Sequence, residues 1–266
     1  MEALSLRRFA RSMWRHRELL FMLTWRDIRI KYKQTVLGFL WALLMPILIV
    51  SAGLVVKLGM AHVSGRSLQW SELAIVAVKS LPWAFFTSTL RFATLSLTNN
   101  TTLVTKIAFP RAVFPVAATL SQAFDAVVAS VVVLALLVLA RTGVSWALLW
   151  VPLLLLLLGL FTGALALLLS AANLFFRDVK YVVEVVITFA IFFSPVFYEV
   201  AMFGKWADLL MLNPLAPLLE GLGAAVVHHQ APPLGWLAYS AGVTLLLTLA
   251  APAWFLRMEP RFAESI

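Results

Sequence analysis

Cysteine is missing from this chain altogether, which excludes disulfides, thiol catalysis and thiolate metal sites and leaves the redox compartment open. Charge is scarce as well, at 12% of residues against 62% hydrophobic, with a mean hydropathy of +0.96. A soluble domain carries about 25% charged residues, so this balance excludes that class and identifies an all-α integral membrane protein. Acidic residues are the scarcer sign, 12 against 21 basic. They stand singly, with no D-x-D or His-rich cluster, whereas a membrane-bound glycosyl or phosphoryl transferase gathers carboxylates with a metal, or a base with a nucleophile, at one surface. No intrinsic catalysis is therefore expected. No G-x-x-x-x-G-K-[ST] phosphate loop occurs either, so the chain cannot hold ATP in that manner. His228 and His229 are adjacent, and neighbouring imidazoles on a helix point apart; no metal site is expected.

The cations that produce the net charge of +9 cluster at the ends of apolar runs. Anionic lipid headgroups, not nucleic acid, are their natural counter-ions. The most informative such junction is RDIRIKYKQTVLGFLWALLMPI at 26–47. Arg17, Arg26, Arg29, Lys31 and Lys33 meet a membrane-length apolar run beginning near Val36, which places residues 1–34 on the cytoplasmic side. The apolar run comes too late for a cleavable signal. Leu6, Phe9, Met13, Leu20 and Phe21 recur at helical spacing while Arg7, Arg8, Arg11, Arg15 and Glu18 take other positions, the pattern of an amphipathic helix in the inner headgroup layer.

Residues 35–266 carry six apolar runs, near 35–57, 72–97, 112–140, 145–171, 180–198 and 234–256, each long enough to cross a bilayer. Six crossings place both termini inside. The charge distribution agrees: fifteen Lys/Arg fall on the cytoplasmic segments and five outside, the bias expected for this orientation. Residues 199–233 are too long for a turn and too interrupted to span. Asn213 followed by Pro214 is a helix start, and two short helices re-entering the outer leaflet are expected, their backbone polar groups buried against protein or facing a water-filled cavity.

Lys79, Arg91, Asp125 and Glu184 lie within apolar runs, where an ionisable group needs a partner, a cavity or a span end. A proton-coupled secondary transporter would use them as relays. Against that alternative, Glu184 lies about one turn from the inner surface and Arg91 can snorkel to it, while Asp125 also reads as an interhelical hydrogen-bond anchor.

Four blocks in fixed order resemble the membrane subunit of ABC exporters for bacterial surface polysaccharides, of the O-antigen, capsule and teichoic-acid permease type, the O-antigen type being the nearer. They are the 26–47 junction; LPWAFF at 81–86 with NNTTLVTKIAFPR at 99–111; NLFFRDVKYVV at 173–183; and SPVFYEV with NPLAPLLEG between 194 and 221. One departure is Lys79 with Ser80, where the family usually has a small residue after an uncharged stretch.

The resemblance implies a homodimer of six-span subunits in the bacterial cytoplasmic (inner) membrane, carrying a lipid-linked glycan. Two separate ABC nucleotide-binding subunits would hold ATP and Mg, leaving this chain with no cofactor of its own. It assigns a coupling helix at 99–111, with Asn99, Asn100, Thr101, Thr102, Lys106 and Arg111 toward the ATPase. Arg177 and Asp178 in the next inner loop either reach the same partner or hold two spans together. Arg26, Arg29, Lys31 and Lys33 would meet the ATPase or the lipid carrier's phosphate, which arginine's planar fork suits. Residues 199–233 would form outer gate helices. Trp83, Phe85, Phe86, Phe189, Phe192, Phe193, Phe197 and Tyr198 would offer sugar-stacking faces along a conduit; the competing reading is lipid contact, packing or interfacial belts.

Overall fold

The computed structural model describes residues 2–33, 40–65, 67, 69–106 and 109–264, so the expected point of membrane insertion near residue 35 lies outside the described residues. Among the described residues the chain is helical throughout, with no strand. Helix α1 (Glu2–Arg15) and α2 (Arg17–Lys33) replace the single expected N-terminal helix, with the break at His16. Then follow α3 (Leu40–Ser64), α4 (Trp70–Thr94), the short α5 (Thr101–Lys106), α6 (Val113–Leu139), α7 (Trp150–Phe175) and α8 (Val179–Ala190). The last three are α9 (Ala207–Met211), α10 (Ala216–Gly223) and α11 (Leu234–Met258).

Four segments are long and apolar enough to cross a bilayer: Trp70–Thr94, Val113–Leu139, Trp146–Phe175 and Leu234–Phe262. They coincide with four of the six apolar runs. Helix α4 is the least apolar of them and the most enclosed, packed between α6, α7 and α3 with α10 against its N-terminal half. Its polar side chains are tolerated because they face protein. Gly53 shows how closely α3 approaches it, since a Cβ there would stand 2.4 Å from Val76 Cγ1 on α4 and 2.8 Å from the Phe197 ring. Small residues let membrane helices approach in this way.

Two apolar cores stack along the molecule. One joins Trp83 and Phe86 of α4 to Leu154, Leu158 and Phe161 of α7 and to Leu218 and Leu219 of α10. The other gathers Leu23 of α2, Val104 of α5, Phe114 of α6, Leu174 of α7 and Phe255 and Phe262 at the C-terminal end. Phe9 and Met13 of α1 pack on this second core. The N-terminal helices, the α4–α6 connection, the C-terminal end of α7 and the end of α11 thus share one apolar contact zone.

Helix α8 is shorter than the apolar run at 180–198. Its 12 residues span about 18 Å at 1.5 Å per residue, after which a single 3-10 turn, Ile191–Phe193, leads into an extended Ser194 (φ −118°, ψ 134°). Pro195 forces this, because its ring disfavours helical backbone at the preceding residue. The segment beyond is built of short pieces: a 3-10 stretch Val200–Trp206 kinked at Gly204 (φ 52°), then α9, then α10 extended by one wide turn, Ala224–His228. His229 ends that turn in left-handed conformation (φ 57°).

Candidate functional site

The chemistry-bearing side chains fall into a cluster at the end of the bundle that carries α5 and the C-terminal turn, an ion pair between α4 and α8, and a cluster around α10 at the opposite end, called below the inner and outer ends after the orientation expected from the charge distribution. At the inner end, Arg111 turns back onto its own chain. Its Nε donates to the Val104 carbonyl (3.1 Å), its Nη1 to the Glu259 carbonyl (2.9 Å), and its backbone N–H to Glu259 Oε1 (2.7 Å). Arg111 therefore ties the 99–111 loop to the C-terminal turn. The side chain of Lys106 lies outside the described residues. Asn100 reaches back to the Ser96 carbonyl (2.7 Å) instead of capping forward, and Asn99 and Thr102 are partly or fully exposed.

Arg177 and Asp178 are both exposed and form no ion pair with each other. Asn173 fixes this loop instead: its Oδ1 accepts from the Lys180 N–H (3.1 Å) and its Nδ2 donates to Thr98 Oγ1 (3.4 Å), joining the two inner loops. An amide suits the position because it donates and accepts at once.

Helix α2 runs along α6, and two of its last residues converge on Asp125. Lys31 Nζ pairs with Asp125 Oδ2 at 2.8 Å and Tyr32 Oη donates to Oδ1 at 2.6 Å. The Gln122 amide completes the cluster, and the Phe92 ring lies 4.8 Å from the Lys31 ammonium. Burial first, then the hydrogen bond and charge of Asp125, hold the Tyr32 phenol above its ordinary value. Asp125 lies 12 residues into α6, about 18 Å along it, so this end of α2 follows α6 lengthwise. Asp125 is thus an interhelical anchor. Of the remaining cations expected to meet phosphate, Arg26 pairs with Asp27 (2.9 Å), and Arg26, Arg29 and Lys33 line an open groove of about 440 Å³ with Met22, Trp25 and Ile30.

Arg91 on α4 meets Glu184 on α8 through two parallel bonds, Nε to Oε1 at 2.6 Å and Nη2 to Oε2 at 2.9 Å. Arg91 has no need to snorkel. Both side chains remain about half exposed, 49% and 46%.

The outer cluster was not visible as a unit in the sequence. Lys79 Nζ, 1% exposed, pairs with Glu220 Oε1 at 2.8 Å and donates to the Tyr198 carbonyl at 3.1 Å. The same carboxylate oxygen accepts the Val200 N–H at 2.9 Å. Glu199 lies 3.6 Å from His228, while His229 bonds the Thr142 carbonyl. Asn213 and Pro214 lie in the turn before α10, which begins at Ala216, two residues later than their pairing suggests; Asn213 Oδ1 accepts the Leu215 N–H (3.1 Å) within that turn and its Nδ2 donates to Ser194 Oγ (3.0 Å). The signal available beforehand was Lys79 itself: a cation in an apolar run demands an acid, and the outer half offers few. Among the described residues, no three of His, Asp and Glu gather to hold a metal.

The eight aromatics divide. Trp83 and Phe86 are buried, Phe86 stacked on Phe161 at 6.1 Å, and Phe85 packs against the same core. Phe197 covers Gly53, and Tyr198 bonds the Phe192 carbonyl (3.0 Å) with its ring edge-on to Phe203. Only Phe189, Phe192 and Phe193 stand exposed, on and just beyond α8.

The profile of the ABC-2 type transporter family matches residues 18–226, which takes in every cluster described above except His228, His229 and Glu259. The chain belongs to the ABC-2 type transporter family. It is also similar along nearly its whole length to two proteins named O-antigen export system permease protein RfbA. That of Myxococcus xanthus is 28% identical over 262 residues, 97% of this chain and 99% of the relative. That of Klebsiella pneumoniae is 27% identical over 257 residues, 93% and 94% of the two.

Proposed function

We propose that this ABC-2 family chain is the membrane subunit of an ATP-driven exporter that moves a lipid-linked, O-antigen-like glycan across the bacterial inner membrane. The observation that carries the proposal is the end-to-end similarity to two O-antigen export permeases, on a chain without a phosphate loop of its own. Two copies pair, each with a separate nucleotide-binding subunit. Besides the four long crossings, α3 supplies the first and α8 the fifth, with residues 199–233 folding back into the outer leaflet and both termini inside. The exposed faces of α3 (Val55, Val56) and α8 (Val182, Val186, Phe189) meet their symmetry mates around a conduit, where Phe189, Phe192 and Phe193 stack on sugar rings. ATP binding presses on the 99–111 loop, and the bonds from Arg111 to Glu259 pass that push to α11.

The clusters also speak against a proton-coupled mechanism. Asp125 is held by Lys31 and Tyr32 while Lys79 is held by Glu220, so the two groups a relay would need are each engaged in a separate network.

The function is tested by reconstituting the permease with and without its cognate ATPase in vesicles. ATP-dependent glycan movement is expected only with the ATPase; export that survives ATP depletion and collapses with the proton gradient overturns the scheme. The natural absence of cysteine allows a direct topology test. Single cysteines at Thr102 and Arg177 are expected to be labelled from the cytoplasmic side, and those at Val144 and Lys205 from the other.

A further inference from the structure

Lys57 is a buried cation that belongs to none of the clusters above. It lies well inside α3, is 6% exposed, and has no ion pair or hydrogen bond among the described residues. A solitary ammonium in an apolar wall is costly and needs a partner or a cavity. Its place follows from Gly53, one turn earlier on the same face of α3, where a Cβ would meet Val76 of α4 and the Phe197 ring. Lys57 therefore stands one turn further out along the seam between α3, α4 and the stretch at 197–200. Three carboxylates lie near that seam. Glu72, one turn before Val76, is level with Lys57. However, α3 and α4 are antiparallel neighbours and helical side chains lean toward their own N-termini, so Lys57 leans inward and Glu72 outward. Glu220 is already committed to Lys79 and the Val200 N–H. Glu199 is left. It follows Phe197 by two residues and sits on extended backbone (φ −104°, ψ 135°). A third of its side chain is exposed, and its contact with His228, at 3.6 Å, is too long for a hydrogen bond. Lys57 and Glu199 both lie within electrostatic reach of Lys79.

We infer that the Glu199 carboxylate has two stations, His228 and Lys57, and that its transfer to Lys57 latches the outer segment onto α3. In the described arrangement the latch is open. Closing it takes rotation of two long side chains and gives the buried ammonium its counter-charge. The 3-10 stretch that begins at Val200 carries Met202 on the same side as Glu199, because residues three apart align in such a turn and the Met202 N–H bonds the Glu199 carbonyl at 3.0 Å. Closure therefore draws Met202, now exposed, against α3. Lys79 and Glu220 hold the segment to α4 in both arrangements, so the latch decides only whether the segment also holds α3. The inference rests on the packing and charges around α3, and it stands whatever cargo the chain moves.

The test is the labelling rate of a single cysteine, Met202→Cys, with a membrane-impermeant maleimide on the full chain in nanodiscs. Lys57→Gln removes the second station and is expected to speed labelling about threefold or more, while His228→Gln removes the first and is expected to slow it by a similar factor. Glu199→Gln is expected to match Lys57→Gln, and in that background neither Lys57→Gln nor His228→Gln changes the rate further. Lys57→Glu alone is expected to label fast, and Lys57→Glu with Glu199→Lys to return to the slow rate. Glu72→Gln is expected to leave the rate as it is. A lysine that is merely unpaired behaves otherwise: Lys57→Gln then leaves labelling unchanged and raises thermal stability, because a buried charge has gone. That result overturns the inference. So do rate changes of the same sign in Lys57→Gln and His228→Gln, a Lys57→Gln effect that persists in Glu199→Gln, or one that vanishes in Glu72→Gln. Where the exchanged pair fails to fold, the neutral variant Lys57→Gln with and without Glu199→Gln decides.

Discussion

Of the three ion pairs that cross between helices among the described residues, two that involve α4 are built oppositely. Lys79–Glu220 is sealed, with Lys79 1% exposed and its carboxylate partner 18%, and both groups carry further bonds to the Tyr198 carbonyl and the Val200 N–H. Arg91–Glu184 makes two short bonds and nothing more, at about half exposure on each side. The first closes the outer segment onto α4, and nothing can replace either member without leaving a charge in an apolar interior. The second can be opened. The lesson concerns division of labour: burial and extra bonds make a staple, while an exposed pair with no further bonds adds little to stability.

Breaking the staple is expected to produce the largest effect, and an asymmetric one. Glu220→Leu leaves the Lys79 ammonium buried with one carbonyl, an uncompensated charge that costs about 3–5 kcal/mol. Lys79→Met leaves Glu220 still accepting from Val200 and partly open to solvent, so its cost is smaller, and Lys79→Met with Glu220→Leu together recovers much of the loss. Thermal unfolding of the solubilised permease, read together with protease access to residues 199–233, checks both the size and the order. Equal losses for the two single variants would erase the distinction drawn between the pairs.

The third network, Lys31 and Tyr32 on Asp125, lies between these extremes, with Lys31 and Asp125 at 19% and 23% exposure. Asp125→Ala removes two hydrogen bonds, both charge-assisted because the carboxylate accepts them, and is expected to cost about 1–3 kcal/mol. The damage should be local, because what these bonds hold is the end of α2 against α6. Trypsin cleavage after Arg29, Lys31 or Lys33 is the direct readout, rising in the variant while the core of α7 and α11 stays protected. Unchanged cleavage would show that Leu23 and Ile28, both buried, dock α2 without help.

How far each region could be read in advance follows from what carries it. Apolar length is a local property, so four crossings were legible residue by residue from 72–97, 112–140, 145–171 and 234–256. The fifth run was legible only in part, since hydropathy does not register that Pro195 forces Ser194 out of helical backbone. Asn213 was legible to within two residues, because its side chain acts within its own turn. Lys79 was legible as a group in need of a partner, but not the partner, because Glu220 stands 141 residues away and only the packing of α10 on α4 brings them together. Arg91 and Glu184 were each given a separate escape to the inner surface, and the structure gave them to each other. Trp83 and Phe86 show the converse: an aromatic run reads the same whether it lines a path or fills a core, and burial alone separates these two from Phe189, Phe192 and Phe193.

The Asn213 side chain sharpens the comparison at a smaller scale, since it joins the broken end of the fifth run to α10 on the staple's side of the molecule. Asn213→Ala gives up the turn bond to the Leu215 N–H and the bond to Ser194, and is expected to cost about 1 kcal/mol. The readout is faster hydrogen exchange confined to residues 194–223, with α4 unchanged. An effect spread over the whole permease would mean that the outer segment and α4 unfold as one unit.

The smallest stability effect is expected at the half-exposed pair. Replacing both members of the half-exposed pair, Arg91→Gln with Glu184→Gln, removes an interaction worth about 1 kcal/mol or less at such exposure, and the two neutral amides can still hydrogen-bond across the α4–α8 gap. Thermal unfolding of this double variant should fall close to the wild type, in contrast to the several kcal/mol lost from the outer staple. A loss as large as that of Glu220→Leu would place Arg91–Glu184 among the structural pairs.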